Sequence, residues 1–397
     1  MVQVGEISRL RRIETCRIHD LMQKFCISKA QQENFLQITK RKIFSMEGSL
    51  GHIGKIRRLA ITLESNDNYL NEYPYLRSLL YFAPPQEFYF KKSKLLRVLN
   101  MKNYKGKNLS KDIGRFIHLR FLSSENSNVN NVPSFLCNLR CLQTLDLRVG
   151  YINVRVPNVF KEMEQLRHLY LPYDYWVSDK LELGNLCYLQ TLLNVGPKTI
   201  KMPTSFWFNY LRILGILYQV DGEGPHLVQI LVSSCPRIYE LYVNYLIKKL
   251  LETHQFSSNL VKLDLRRTCL EEDPMPILEK LPNLKILRLI ESTFSRKDIV
   301  CSEGGFPSVS SPWEIVLLRG VKGGGRSHAQ SQPFKNWILL GIGGYSRWIE
   351  VRHNPSGIGD QRHAKAMLHE HEHGQDTNTK IRQFLKNKDT TRQEHGS

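Results

Sequence analysis

No stretch of this 397-residue sequence approaches about 18 uninterrupted apolar residues, so no membrane-spanning helix is expected. The opening run MVQVGEISRLRR places charges where a secretory leader needs an apolar core. Cysteine is sparse. The eight residues Cys16, Cys26, Cys137, Cys141, Cys187, Cys235, Cys269 and Cys301 include no Cys-x-x-Cys pair, which removes the common zinc and thiol–disulfide motifs. Their apolar surroundings are those of reduced core thiols, and a cytoplasmic compartment fits that usage. No Ser/His/Asp, Cys/His or paired-carboxylate arrangement stands out, so no enzymatic activity is expected. Acidic residues are also in short supply: 37 Asp and Glu face 56 Lys and Arg, a net charge of +19. That balance draws the chain toward acidic partners, whether nucleic acid, an anionic membrane surface or an acidic protein domain.

What is abundant is leucine at a fixed spacing. The pattern Leu-x-x-Leu-x-Leu recurs from Leu142, Leu166, Leu260 and Leu284, with weaker copies from Ile56, Leu76, Leu96, Leu119, Leu189, Leu211 and Ile238. The roughly eleven starts lie roughly 20 to 27 residues apart, the period of leucine-rich repeats. Each unit supplies one short strand whose alternate side chains point inward. One unit cannot bury that face, but a stack of units buries a continuous core. The expected fold is therefore α/β: a solenoid over residues 50–305, with a horseshoe of parallel strands lining its concave side. Val132-Pro133 and Val156-Pro157 add core residues beyond the strands. Ser124 and Asn194 stand where an aliphatic residue belongs.

Residues 1–45 read differently. Val2 and Val4 alternate, a basic turn follows at Arg9-Leu10-Arg11-Arg12, and Cys16-Arg17-Ile18-His19-Asp20-Leu21-Met22 comes next. Asp20 with Gln23 forms a capping box, and Leu21, Met22, Phe25 and Cys26 make one apolar helix face. The reading is strand, turn, strand, capped helix: the end of a small winged-helix domain. The run CRIHDLMQKFCISKAQQENFLQI resembles that region of plant nucleotide-binding leucine-rich-repeat immune receptors, with Ile18-His19-Asp20 matching their Met-His-Asp triplet. The repeats KLLRVLNM, IHLRFLSSENSNVNNVPSFLCNLRCLQTLDLR and MEQLRHLYLP resemble the coiled-coil, late-blight-type class. The resemblance spans residues 1–306. It implies an intracellular receptor of pathogen proteins, in which His19 would contact the phosphates of ADP and Asp20 would shape the same turn. The family's phosphate-binding loop, Gly-x-x-x-x-Gly-Lys-Ser/Thr, is absent from this sequence, so no nucleotide is expected on this chain, although full-length members carry ADP or ATP.

On a repeat strand the residues between the leucines face solvent. Just after the first apolar residue of a unit stand Arg57, Arg77, Arg97, Arg120, Arg167 and Arg212, a basic stripe weighted to the N-terminal half. The resemblance implies that the repeats fold back on the receptor's own nucleotide-binding module, whose acidic face would be the stripe's partner; a solubilising ladder is the other reading. Tyr170, Tyr173, Tyr218, Tyr242 and Tyr245 are predicted on the concave face, with Tyr175 and Trp176 just beyond a strand. Rigid aromatics there would contact a pathogen effector or a guarded host protein, or else pack between units. Nucleic acid is not expected.

The repeat signal stops after Leu289. Residues 303–397 hold 13 of the 25 glycines and 7 of the 13 histidines. Residues 307–397 are therefore expected to lie outside the solenoid, as a disordered or misjoined tail. His369, His371 and His373 would share a strand face suited to a metal, but no cysteine accompanies them. Gly341-Ile342-Gly343-Gly344 lacks dinucleotide-loop spacing. The combined expectation is a sensor and autoinhibitory module that binds proteins. A freestanding repeat scaffold and a repeat-bearing ubiquitin ligase are the alternatives.

Overall fold

The computed structural model describes residues 2–4, 16–33, 35–39, 56–61, 73–82, 94–150, 153–201, 208–217, 225–290, 293, 313–318, 335–342 and 345–352. The chain divides into two compact units, Met1–Leu186 and Cys187–Ser397.

In the first unit, β1 (Val2–Val4) pairs antiparallel with β2 (Cys16–Ile18), and α1 (Asp20–Gln32) follows. The cap differs from the sequence expectation. Asp20 is the first helical residue, and His19 is the N-cap, its Nδ1 accepting the Leu21 N–H at 3.3 Å. The aspartate still serves the helix, because a carboxylate in the first turn complements the macrodipole. The apolar face of α1 is not packed: Leu21, Phe25 and Cys26 are exposed.

A parallel sheet comes next. Its strands are β3 (Gln37–Thr39), β4 (Arg58–Ile61), β5 (Ser78–Tyr81), β6 (Val98–Asn100), β7 (Phe121–Ser123) and β8 (Thr144–Asp146). A two-residue strand, β9 (Val154–Arg155), precedes the last rung, β10 (His168–Tyr170), and β11 (Tyr175–Trp176) pairs parallel with β9 as a second sheet. The strand β3 places the first rung about twenty residues ahead of the expected start at Ile56, with Gln37 and Ile38 opposite Leu59 and Ala60 of β4, so a polar residue stands where the later rungs carry the inward leucine. Every rung is in register: Leu79 opposes Leu99, Leu99 opposes Leu122, Leu122 opposes Leu145 and Leu145 opposes Leu169.

The second unit holds β12 (Thr191–Val195), β13 (Ile213–Leu217), α2 (Pro225–Ser233), β14 (Glu240–Asn244), β15 (Lys262–Arg266), α3 (Met275–Leu278) and β16 (Ile286–Ile290). These strands are also parallel and registered, as Leu214–Leu241–Leu263–Leu287 shows. The expected break in the leucine pattern at Asn194 is a bulge. The residue has φ 64°, which asparagine tolerates better than aliphatic residues, and Val195 takes the inward place opposite Ile216.

The core is the stack of inward columns. All eleven unit-opening residues, from Ile56 to Leu284, are buried, as are Leu145, Leu169, Val132 and Val156. Ser124 is fully buried and donates its hydroxyl to the Asp146 carbonyl at 3.2 Å, which satisfies the polar atom that replaces a leucine. Short 3-10 turns at Lys111–Arg115, Ser134–Asn138 and Phe160–Glu162 close the other side with Ile113, Leu136 and Phe160. Gly114 permits their close stacking, since a Cβ there would meet the Phe135 side chain at 3.0 Å.

Two expectations are corrected. The tail is not wholly outside the sheet. β17 (Trp313–Leu318) pairs parallel with β16, then β18 (Lys335–Ile342) and β19 (Tyr345–Arg352) extend the sheet antiparallel. The run Ile315-Val316-Leu317-Leu318 has the composition to cover the otherwise open edge of β16. Gly341 and Ile342 end β18, whereas His369, His371 and His373 lie outside the described residues. The cysteines are not uniformly core thiols either. Cys235 is buried, and burial pushes its thiol pKa up, but Cys26, Cys141 and Cys187 are exposed. Cys141 and Cys187 fall on the turns that precede a core leucine, where the chain faces solvent whatever the hydrophobicity of its neighbours.

Candidate functional site

The basic stripe is a column built by the backbone. Arg77 and Ser78 both donate their N–H to the Arg57 carbonyl, Arg97 and Val98 to that of Arg77, and Arg120 and Phe121 to that of Arg97. Gln143 donates to the Arg120 carbonyl, and Arg167 to that of Gln143. The ladder sets Arg57, Arg77, Arg97 and Arg120 on consecutive rungs, about 4.8 Å apart, with Gln143 as a gap before Arg167. All five arginines are exposed, and among the described residues none of their side chains makes an ion pair or hydrogen bond. Beside the column, Arg58 lies over the Phe35 ring at 4.2 Å. In the second unit Arg212 holds the equivalent place, bonded to the Gln190 carbonyl, but Tyr239, Val261 and Lys285 continue that ladder and no arginine run forms.

The tyrosines separate. Tyr170 is half-buried on the outer face of β10, and Tyr173 is exposed just beyond it. Tyr242 lies half-buried on β14, in the other unit. Tyr218 lies outside the described residues. Tyr245 is a correction: it is 2% exposed and belongs to the core. Strand alternation explains it, for Leu241, Val243 and Tyr245 point inward, while Tyr242 and Asn244 point outward. Of the two residues flagged beyond a strand, Tyr175 is buried and Trp176 exposed, with the Arg155 guanidinium 5.7 Å from the indole.

Two polar clusters on the outer faces went unread in the sequence. In the first unit Arg148 grips Asp146 with both arms of its fork, at 3.0 and 2.7 Å, and its guanidinium stands 4.7 Å from the Tyr170 ring. The hydrogen bond to Asp146 pushes the Arg148 pKa up against the cost of burial. In the second unit Arg266 grips Asp264 in the same way, at 2.8 and 3.0 Å. Both come from the tetrapeptide Leu-Asp-Leu-Arg, whose polar residues, two apart on a strand, share a face. Next to the second fork, the Tyr242 hydroxyl donates to Glu240 at 2.6 Å and accepts from Lys262 at 2.8 Å. Burial and the bond to Glu240 push that phenol up. These faces are charge-paired, unlike the arginine column.

His19 is exposed at the start of α1, and its Nδ1 accepts the Leu21 N–H. The sequence holds no Gly-x-x-x-x-Gly-Lys-Ser/Thr run beside it to cradle a phosphate with backbone N–H groups. Among the described residues no group of three or more His, Cys, Asp or Glu could hold a metal ion, and no helix is long and apolar enough to cross a membrane.

Comparison with known proteins adds the relationships. The family model described as a leucine-rich repeat region matches residues 75–217. A probable disease resistance protein of Arabidopsis thaliana is 37% identical over 75% of this chain and 37% of its own length. A second from that plant, a putative disease resistance protein, is 36% identical over 75% of this chain and 35% of its length. A probable RPP8-like disease resistance protein, again from Arabidopsis thaliana, is 32% identical over 78% and 38%. This chain thus spans less than two-fifths of the length of these relatives. Among solved structures, the leucine-rich-repeat ectodomain of an Arabidopsis thaliana membrane receptor kinase aligns with a TM-score of 0.40 and 17% identity, over 60% of this chain and 36% of its own.

Proposed function

Because the chain belongs to the leucine-rich-repeat part of the plant disease-resistance proteins, we propose that it serves as the sensor and autoinhibitory module of a cytoplasmic immune receptor, a module that works by surface recognition and not by catalysis. The observation that carries this reading is the unpaired arginine column. Four like charges about 4.8 Å apart repel one another, and an isolated solenoid gains nothing from them. The arrangement is favourable when an acidic surface covers it. The partner in this reading is the nucleotide-binding module of the same receptor, which holds the repeats in the resting state. The outer face with Tyr170 and Tyr173 then remains for a pathogen effector or a guarded host protein, since aromatics held by a neighbouring fork offer contact area at little entropic cost.

His19 in this reading reports on ADP only when the nucleotide-binding module supplies the cradle. Equilibrium dialysis of this chain alone against labelled ADP is expected to show no saturable binding, and micromolar binding would refute it.

The test of the main reading supplies the nucleotide-binding module in trans and measures its co-precipitation with this chain. Arg77→Glu with Arg97→Glu is expected to weaken the association, as is added salt, because exposed charges are screened over about 10 Å at 0.1 M ionic strength. Association unchanged by the double reversal would reduce the column to a solvated face and end the autoinhibitory assignment.

A further inference from the structure

The chain turns just before each core leucine, and both residues at the turn are exposed. In the first unit these pairs are Pro74–Tyr75, Lys94–Leu95, Ile117–His118, Arg140–Cys141 and Glu164–Gln165. Three consecutive tips carry a large apolar side chain in solvent: Tyr75 at 56% exposure, Leu95 at 39% and Ile117 at 57%. They occur where the charge is most one-sided. Residues 94–120, all described, hold eight lysines and arginines against one carboxylate, Asp112, and all eight cations are exposed. Further along the first unit, the Glu164–Gln165 tip is polar and acidic; exposed aromatic tips recur in the second unit at Tyr188 and Tyr210, but within the first unit apolar tips and one-sided positive charge coincide over residues 75–120.

We infer that this edge docks on an anionic lipid bilayer, with Tyr75, Leu95 and Ile117 entering the headgroup region and Lys94, Arg115 and Arg140 lying against the lipid phosphates. Three features select a membrane. The apolar groups stand singly on protruding turns, and a bilayer interface receives such side chains without a matching pocket. Of the three tips only Tyr75 offers a flat face; leucine and isoleucine offer none for the base stacking that a single-stranded nucleic acid would use. The cations around them are the attraction that an anionic leaflet rewards, and it falls off within a Debye length. Arg115 and Arg140 each touch a carboxylate, Asp112 at 3.2 Å and Glu162 at 3.4 Å, but both arginines are about three-quarters exposed, and such surface pairs exchange readily for phosphate. The arginine column lies two or three residues further along the same rungs, so a protein partner can cover it while Lys94, Arg115 and Arg140 remain accessible to lipid.

The test is flotation of the full chain with vesicles of phosphatidylcholine alone and of phosphatidylcholine mixed with phosphatidylserine. The chain is expected to float with the mixed vesicles and not with the neutral ones. Leu95→Ser with Ile117→Ser, and separately Lys94→Glu with Arg115→Glu, should each lower the partition coefficient at least about tenfold. All four residues are exposed, so unchanged circular dichroism identifies a loss of docking that is not a loss of fold. Equal flotation with neutral vesicles, no flotation with either, or flotation indifferent to the Leu95/Ile117 pair overturns the inference. Tight binding of single-stranded RNA that displaces the vesicles and ignores the Leu95/Ile117 pair reassigns the edge to nucleic acid and overturns it as well.

Discussion

Leu145→Ala probes the register on which everything else depends. Leu145 is fully buried on β8, between Leu122 of β7 and Leu169 of β10, which are equally buried. The truncation removes three carbons, about 2.4 kcal/mol at about 0.8 kcal/mol per buried methylene. The neighbouring rungs are tied to β8 by backbone ladders, so they cannot close fully over the gap, and the residual cavity raises the total loss to about 3–5 kcal/mol. Urea unfolding of the full chain, followed by far-ultraviolet circular dichroism, measures the loss. Leu95→Ala is the control, since its side chain is 39% exposed on a turn tip and its removal should cost within about 0.5 kcal/mol. Comparing two variants of one chain avoids reliance on a two-state free energy, which a repeat array need not obey. A loss below about 1 kcal/mol at Leu145, or equal losses at both positions, would show that these leucines do not form the inward columns.

Arg266→Ala should strand the Asp264 carboxylate, which is 1% exposed, at a cost of about 1–3 kcal/mol, and Arg266→Lys should recover only part of it because an ammonium cannot make the fork; full recovery by lysine would refute a bidentate role. Tyr242→Phe removes the hydroxyl between Glu240 and Lys262 and should cost about 0.5–1.5 kcal/mol; in the wild-type chain, phenolate absorbance should include tyrosines that ionise well above pH 10, and Tyr242→Phe should remove one of them. The His168 pKa is lowered by burial and by Arg167, so the unfolded chain binds more protons as pH drops below about 6.5, and stability should fall there. His168→Gln should reduce that loss, and an identical pH profile of unfolding midpoints in both proteins would exclude the contribution.

The fold was legible because one column of residues repeats. An inward leucine has the same neighbours on every rung, so period alone places Leu145 or Leu263 in the core without any knowledge of distant contacts. The features that were misread depend on single backbone torsions or on an unpaired edge. At Asn194 spacing marks the break in the leucine pattern but not its form, a left-handed residue that shifts the inward place by one. At β17 pairing is driven by the open edge of β16, and a six-residue run with five apolar residues but no second leucine frame carries no periodic signal. At His19 and Asp20 both side chains are able to cap a helix, and the backbone decides which of them does.

The candidate surface was half legible for a related reason. The arginine column could be found because its members occupy one repeat position, and the backbone ladder then obliges them to stack. Tyr245 was misplaced by ignoring that an odd step along a strand changes face: Tyr242 and Tyr245 are three apart, so they cannot both point outward while the strand stays regular. The Asp146–Arg148 and Asp264–Arg266 forks obey the same rule with an even step, and Leu-Asp-Leu-Arg occurs twice in the sequence for anyone who counts by two. The alternation also gives the outer surface its division of labour. A residue beside an inward leucine either lies on the strand, where its cross-strand neighbours are fixed and acid–base pairs can form, or on the turn before it, where no strand ladder fixes an opposite partner. Charges of the first kind are neutralised within the molecule, as Arg148 and Arg266 are. Arg57, Arg77, Arg97 and Arg120 have no such neighbour among the described residues, and Tyr75, Leu95 and Ile117 stand in solvent two or three residues before the last three of them, so it is this margin of the first unit that is left to be satisfied by something other than the chain itself.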